Sequence, residues 1–269
     1  MNKINKAITA LLRIARRPWL LNLVLDEDST WQERLKKKYR QEFGLKTVPL
    51  PSLLNEKGCH LPVFSFLDGG SMPTDLALLR SLAVSIPNCS FFEIGTWRGE
   101  SAVNLADVVL ECHTLNLSPN EMRALKWPEK YIDLQGFYTK NKGNVVQHFG
   151  DSAQFDFQGL NKKFDLIFID GDHHYAAVKT DTARVFEHLV HDKTVVVWHD
   201  AAFTPEKLRF EVIAGILDGS PAALHNHIYH VSNSQCAIYY PGGLNNASRL
   251  QAPEEPQWHF DVKLGLKKS

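Results

Sequence analysis

The sequence predicts an α/β protein with a mostly parallel, seven-stranded sheet, an N-terminal helical extension and a C-terminal antiparallel hairpin. Three observations predict it. Short apolar runs at 90–95, 112–117, 144–149, 164–169 and 194–198 alternate with amphipathic stretches, the pattern of buried strands joined by helical crossovers. A glycine turn, Glu93-Ile94-Gly95-Thr96-Trp97-Arg98-Gly99, ends the first run and leads into a helical stretch. Two further runs, 225–231 and 235–240, follow with no helical stretch between them, so they pair as a hairpin at the sheet edge.

The 269 residues suit one main domain with additions: an extension over 1–72, the main domain over 73–245 and a tail over 246–269. Thirty bases balance thirty acids, so no global field draws the chain to nucleic acid or to an acidic membrane, and a small acceptor fits better. The charge is uneven, however, with eleven bases against five acids in residues 1–50. There Ile4, Ile8, Leu11 and Leu12 recur at helical spacing beside a basic face. Such a helix admits peripheral contact with a membrane surface. Its short, Trp-poor stripe favours docking on the main domain or on a partner subunit, and a homodimer is compatible with that. Arg13, Arg16 and Arg17 interrupt the apolar stretch too early for a signal peptide or a membrane span. Four dispersed cysteines without a C-x-x-C pair read as buried, reduced thiols, which together with the missing leader points to the cytoplasm.

The box Thr30-x-x-Glu33 predicts the start of a second helix that carries Trp31, Leu35 and Tyr39 on one face. Pro49 and Pro51 break regular structure, and a helix over about 74–85 leads into the main domain. Val178, Val185, Phe186 and Leu189 mark the clearest crossover helix, and Thr204-Pro205 predicts the start of another. In the tail Trp258, Phe260, Val262, Leu264 and Leu266 alternate as one more strand.

The glycine turn suits a nucleotide-like ligand, because glycine lets backbone approach closely. A dinucleotide fingerprint needs glycine where Trp97 stands, which argues against a pyrophosphate. The pattern E-x-G-x-x-x-G resembles the first motif of class I S-adenosylmethionine-dependent methyltransferases, whose fold is Rossmann-like. The resemblance implies that Glu93, Gly95, Thr96, Gly99 and Ser101 surround the aminoacyl end of S-adenosylmethionine. It puts Asn116, where the family usually has an acid, at the ribose with help from Ser118. It puts Asp151 and Ser152 at the adenine, although that pair reads equally well as a cap after a strand.

The segments Ile169-Asp170-Gly171-Asp172-His173-His174-Tyr175 and Val197-Trp198-His199-Asp200 resemble the branch that holds many small-molecule and sugar O-methyltransferases. Over roughly 90–200 the resemblance implies Asp170, His199 and Asp200 as ligands of a divalent metal and His173 as the base. His199 in an acid's place tilts the preference from magnesium toward manganese, iron or zinc. In a metal-free alternative, Asp170 accepts from the cofactor's ammonium while His199 and Asp200 support it. His174 reads as a structural hydrogen-bonder. Tyr131, Phe137, Tyr138, His225, His227 and His230 are candidates for the acceptor pocket, with core packing the stronger reading of the aromatics. The expected function is methylation of a small-molecule or sugar hydroxyl. An NAD-linked oxidoreductase on the same architecture and a non-catalytic adenosine-ligand-binding or scaffold protein are the alternatives.

Overall fold

In a computed structural model, residues 2–21, 27–40, 44–55 and 58–268 are described. The sheet has eight strands: β1 (Thr47–Val48), β2 (Ser90–Ile94), β3 (Glu111–Asn116), β4 (Val145–Phe149), β5 (Leu166–Ile169), β6 (Val195–Trp198), β9 (Ile228–Val231) and β10 (Ala237–Tyr239). Their spatial order is β1-β9-β10-β6-β5-β2-β3-β4. Only β10 runs against its neighbours β9 and β6, so the sheet is mostly parallel as the alternation predicts. A separate two-stranded antiparallel sheet joins β7 (Ala202–Thr204) to β8 (Lys207–Leu208).

The helices are α1 (Lys3–Arg16), α2 (Asp28–Tyr39), α3 (Pro73–Ser85), α4 (Glu100–Leu105), α5 (Pro119–Ala124), α6 (Glu129–Asp133), α7 (Tyr175–His188) and α8 (Phe210–Gly219). Helices α3, α7 and α8 bury apolar side chains against the two faces of the sheet. Val178 and Val185 of α7 and Ile213 and Ile216 of α8 pack with Ile167, Ile169 and Trp198 on one face. Leu78, Leu79 and Leu82 of α3 pack with Phe91, Phe168 and Val197 on the other. The central strands β2, β5 and β6 are buried throughout, which is why they read as continuous apolar runs rather than alternating ones.

The direction of winding locates the ligand crevice. From β2 the chain moves outward through β3 and β4, then returns to place β5 on the other side of β2 and proceeds to β6. The carboxyl ends of β2 and β5 therefore flank the topological switch point, where open parallel sheets bind ligands.

Several sequence expectations are corrected. The hairpin β9–β10 is not the edge, because β1 pairs with β9 in parallel, Thr47 opposite His230 and Val48 opposite Val231. A boundary at 72 thus cuts through the sheet, and Leu35, Leu45, Val48 and Leu50 are buried in the cores of the main domain. The helix α2 begins at Asp28, ahead of the Thr30 box, because Asp28 Oδ1 accepts from the backbone N–H of Glu211 and fixes that end to α8. Thr204-Pro205 does not start a helix: Pro205 occupies the turn between β7 and β8, a position its fixed φ favours, and α8 starts at Phe210. The alternating tail finds no strand to pair with, and Trp258, Val262, Leu264 and Leu266 stand exposed. Cys59 is exposed, whereas Cys89, Cys112 and Cys236 are buried. Of the two docking places expected for α1, the main domain does not cover it among the described residues, since none of its residues is buried.

Candidate active site

The glycine turn meets a demand that the sequence pattern does not reveal. Gly95 has φ +98°, and a Cβ there would lie 1.9 Å from the Asp170 carbonyl oxygen. Gly99, φ +80°, would set a Cβ 2.7 Å from Thr139 Cγ2. The close approach that demands glycine is protein against protein: β2 and β5 leave the sheet so near each other that no side chain fits between them. The turn is braced from outside by the N–H of Gly136 donating to the Trp97 carbonyl (2.7 Å) and that of Tyr138 donating to the Arg98 carbonyl (2.9 Å).

Glu93 lies wholly buried beneath this turn. Ser101 donates its hydroxyl to one carboxyl oxygen, and the other, Oε1, has no partner. Burial lifts the Glu93 carboxyl well above the usual range; the Ser101 hydrogen bond opposes that shift, and Asp170 reinforces it. A buried carboxyl oxygen without a donor is costly and calls for a ligand that brings one. Thr96 accepts from Gln147 Nε2 (3.1 Å), which ties the turn to β4.

Asn116 ends β3 and donates from Nδ2 to Gln135 Oε1 (2.9 Å), while no hydrogen bond from a described residue reaches its carbonyl oxygen. Ser118 is not available as its helper: it caps α5, exchanging hydrogen bonds with Glu121 in a capping box. A cavity of about 470 Å³ opens beyond β3 and β4, lined by Leu117, Leu125, Phe149, Gly150, Asp151 and Phe155. Asp151 Oδ1 accepts from the Ala153 N–H (2.9 Å), the local cap that the sequence also allowed. Ser152 instead reaches Asp181 of α7, a nearly buried acid that sequence reading missed. Burial pushes the Asp181 carboxyl up to about 6 against that hydrogen bond.

At the end of β5 and β6 the ionisable groups converge. His199 Nδ1 lies 3.1 Å from Asp170 Oδ1 and 3.4 Å from Asp200 Oδ2, and its Nε2 lies 3.1 Å from Asp75 Oδ2. Asp75, fully buried near the start of α3, also accepts from the Met72 N–H (2.8 Å) and the Gln235 N–H (2.9 Å). Its partner stands 124 residues away in sequence, which is why no local signal marks it. Burial works against charge on His199, but Asp170, Asp200 and Asp75 outweigh it and hold the imidazole well above its ordinary value. Burial raises the Asp170 carboxyl, whereas His199, His173 and Arg209 pull Asp200 below the usual range in spite of burial. Asp200 sits at φ +57°, a left-handed conformation that turns its carboxylate back toward His199.

His173 Nδ1 is 3.8 Å from Asp200 Oδ2, and the ring is half exposed. It lines, with Asp170, Asp172, His199 and Asp200, a cleft of about 10 Å³, the size of one water or ion. His174 points elsewhere, its Nδ1 2.5 Å from Asp172 Oδ1. Asp170, His199 and Asp200 offer ligand atoms within 4.8 Å of one another. His230 is excluded from the acceptor pocket, being buried in β9 with Nδ1 3.2 Å from Thr47 Oγ1. Tyr131 is not core: it stacks on Trp97 at 4.9 Å beside the glycine turn and is half exposed, as is Phe137.

At the start of α4, the Glu100 carboxylate is held by Arg98 (3.2 Å) and the Ser65 hydroxyl. A carboxylate in that place repels a pyrophosphate, in line with the argument from Trp97.

Residues 92–201 match the family described as methyltransferase domain. That span contains the glycine turn, Asn116, Asp151, Asp170, His173, His199 and Asp200, and leaves Asp75 outside. Among solved structures, the CcbJ methyltransferase from Streptomyces caelestis is 18% identical over 52% of this chain and 54% of its own, with a TM-score of 0.36. An S-adenosylmethionine-bound amino pentose methyltransferase from Micromonospora echinaspora is 18% identical over 55% and 62%, TM-score 0.37. An O-methyltransferase from Bacillus cereus in complex with S-adenosylhomocysteine is 18% identical over 64% and 82%, TM-score 0.44. The chain spans about half the length of several of the solved structures that it matches. No curated protein sequence matches it. No helix among the described residues is long and apolar enough to cross a membrane.

Proposed function

We propose that the protein transfers the methyl group of S-adenosylmethionine to a hydroxyl of a small molecule, with a sugar as the leading acceptor class. The observation that carries this reading is the convergence at one switch point of the Gly95 turn, with its unpartnered Glu93 oxygen, and the Asp170–His173 turn. The residues fit the donor: Glu93 and Asp170 offer carboxyl oxygens to the ammonium, Asn116 an oxygen to the ribose, and the cavity beside Asp151 an apolar seat for adenine. When bound, the donor supplies an electrophilic methyl group. His173, 3.8 Å from Asp200, would take the hydroxyl proton as the acceptor oxygen displaced S-adenosylhomocysteine from the methyl carbon, and holding both reactants together would provide much of the acceleration.

A divalent metal on Asp170, His199 and Asp200 belongs to the same proposal. Its support is Asp75, which accepts from His199 Nε2 and so leaves Nδ1 to face the two carboxylates, as a carboxylate behind a metal-ligating histidine usually does. The mixed nitrogen and oxygen set favours manganese, iron or zinc over magnesium, and such an ion would lower the pKa of a bound hydroxyl. Incubation with methyl-labelled S-adenosylmethionine and a panel of sugars and phenols tests the reading. Label transferred to a hydroxyl oxygen is the expected outcome; label on nitrogen or carbon, or none on any acceptor class, contradicts it.

A further inference from the structure

We infer that α1 and the turn after it form an interfacial anchor that lies on an anionic phospholipid surface. At 100° per residue, Ile4, Ala7, Ile8, Leu11, Leu12, Ile14 and Ala15 fall within an arc of about 160°, and Lys3, Lys6, Arg13, Arg16 and Arg17 occupy the rest. Ile4, Ile8, Leu11 and Leu12 are 52–69% exposed, so nothing among the described residues covers the face. The next turn, Pro18–Leu21, adds Trp19, 58% exposed, an amphipathic ring of the kind that settles at the headgroup level.

Charge decides the occupant. No acid occurs before Asp26, so two such helices pairing in a second copy would set bases against bases with no carboxylate to relieve them. Nucleic acid would satisfy the bases but leave the aliphatic arc in water. An anionic bilayer takes both at once, burying the arc at the acyl boundary while the bases stay among phosphates. The helix is too short and too charged to span the bilayer, consistent with lying along it. The inference is independent of the methyl-transfer reading, and it would hold the methyltransferase domain beside the membrane.

The test is co-sedimentation of the full chain with vesicles of phosphatidylcholine containing about one third phosphatidylglycerol, against pure phosphatidylcholine. The chain sediments with the anionic vesicles, and salt releases it. L11D and I8D each weaken partition about ten-fold or more, and R13Q and R16Q each about five-fold. The thermal melt of every variant stays that of the parent, because α1 buries nothing. Absence of binding, equal binding to pure phosphatidylcholine, unchanged binding of L11D, or a concentration-dependent dimer that L11D abolishes would each overturn the inference.

Discussion

Glu93→Gln separates ligand binding from stability. In the free protein the Glu93 carboxyl is fully buried, accepts from Ser101, leaves Oε1 without a donor and is held well above its usual pKa by burial. A raised folded-state pKa means that its contribution to stability is present in full below the unfolded value and is lost as pH rises through the folded value. Glutamine matches the protonated carboxyl in shape and can still accept from Ser101, so E93Q keeps the stability that the parent loses as pH rises above the ordinary carboxyl value. Binding moves the other way. The variant lacks the charge that meets the ligand's ammonium, and a charge-assisted hydrogen bond of roughly 1.5–3 kcal/mol corresponds to about 10- to 150-fold in Kd. Calorimetry with S-adenosylhomocysteine and denaturant unfolding across pH read the two effects separately. An unchanged Kd in E93Q would refute the placement of the ammonium at Glu93, and a variant that loses stability with rising pH as the parent does would refute the titration of Glu93.

Three other variants probe the rest of the site. His173→Ala should lower turnover by about 100- to 10,000-fold while leaving the Kd for S-adenosylhomocysteine within about two-fold; equal losses in both would make His173 part of the cofactor pocket rather than the base. Asp75→Asn weakens the hold on His199 Nε2 and, with its carbonyl kept toward Met72 and His199, turns its amide toward the Gln235 N–H. It should cost roughly 1–3 kcal/mol in unfolding and about 10- to 100-fold in manganese affinity by equilibrium dialysis, and unaltered manganese binding would count against His199 as a ligand. Asp181, pushed from 3.8 to about 6 by burial, stabilises the fold fully below 3.8 and loses that contribution as pH rises through about 6. Asp181→Asn should therefore gain on the parent between those values and level off about 3 kcal/mol more stable above them, measured as unfolding free energy against pH; a constant difference would exclude the titration.

The sequence exposed what local pattern determines and hid what distance determines. Strands β2, β5 and β6 were legible because strands buried on both faces must be apolar throughout, and α7 because Val178 and Val185 share one stripe. Strand β1 was not, since two residues carry no periodicity and its pairing with His230 spans the molecule. The tail pattern had the right period but no strand partner, and period alone does not supply hydrogen bonds. Around the site, Asp170, His199 and Asp200 were readable at strand ends, and the structure brings them together. Asp75 and Asp181 were invisible because each acts through a contact from a remote helix. Gly95 was read for a ligand's approach, and a second demand on it was hidden: the Asp170 backbone, remote in sequence, leaves no room for a side chain there.

The central claim is that the crevice between β2 and β5 receives S-adenosylmethionine rather than a dinucleotide. Titration of the chain with S-adenosylhomocysteine and, separately, with NAD in a calorimeter tests it most directly. The account predicts saturable, one-to-one binding of S-adenosylhomocysteine and no heat from NAD, as Trp97 and Glu100 exclude a pyrophosphate. Saturable binding of NAD with none of S-adenosylhomocysteine would contradict it.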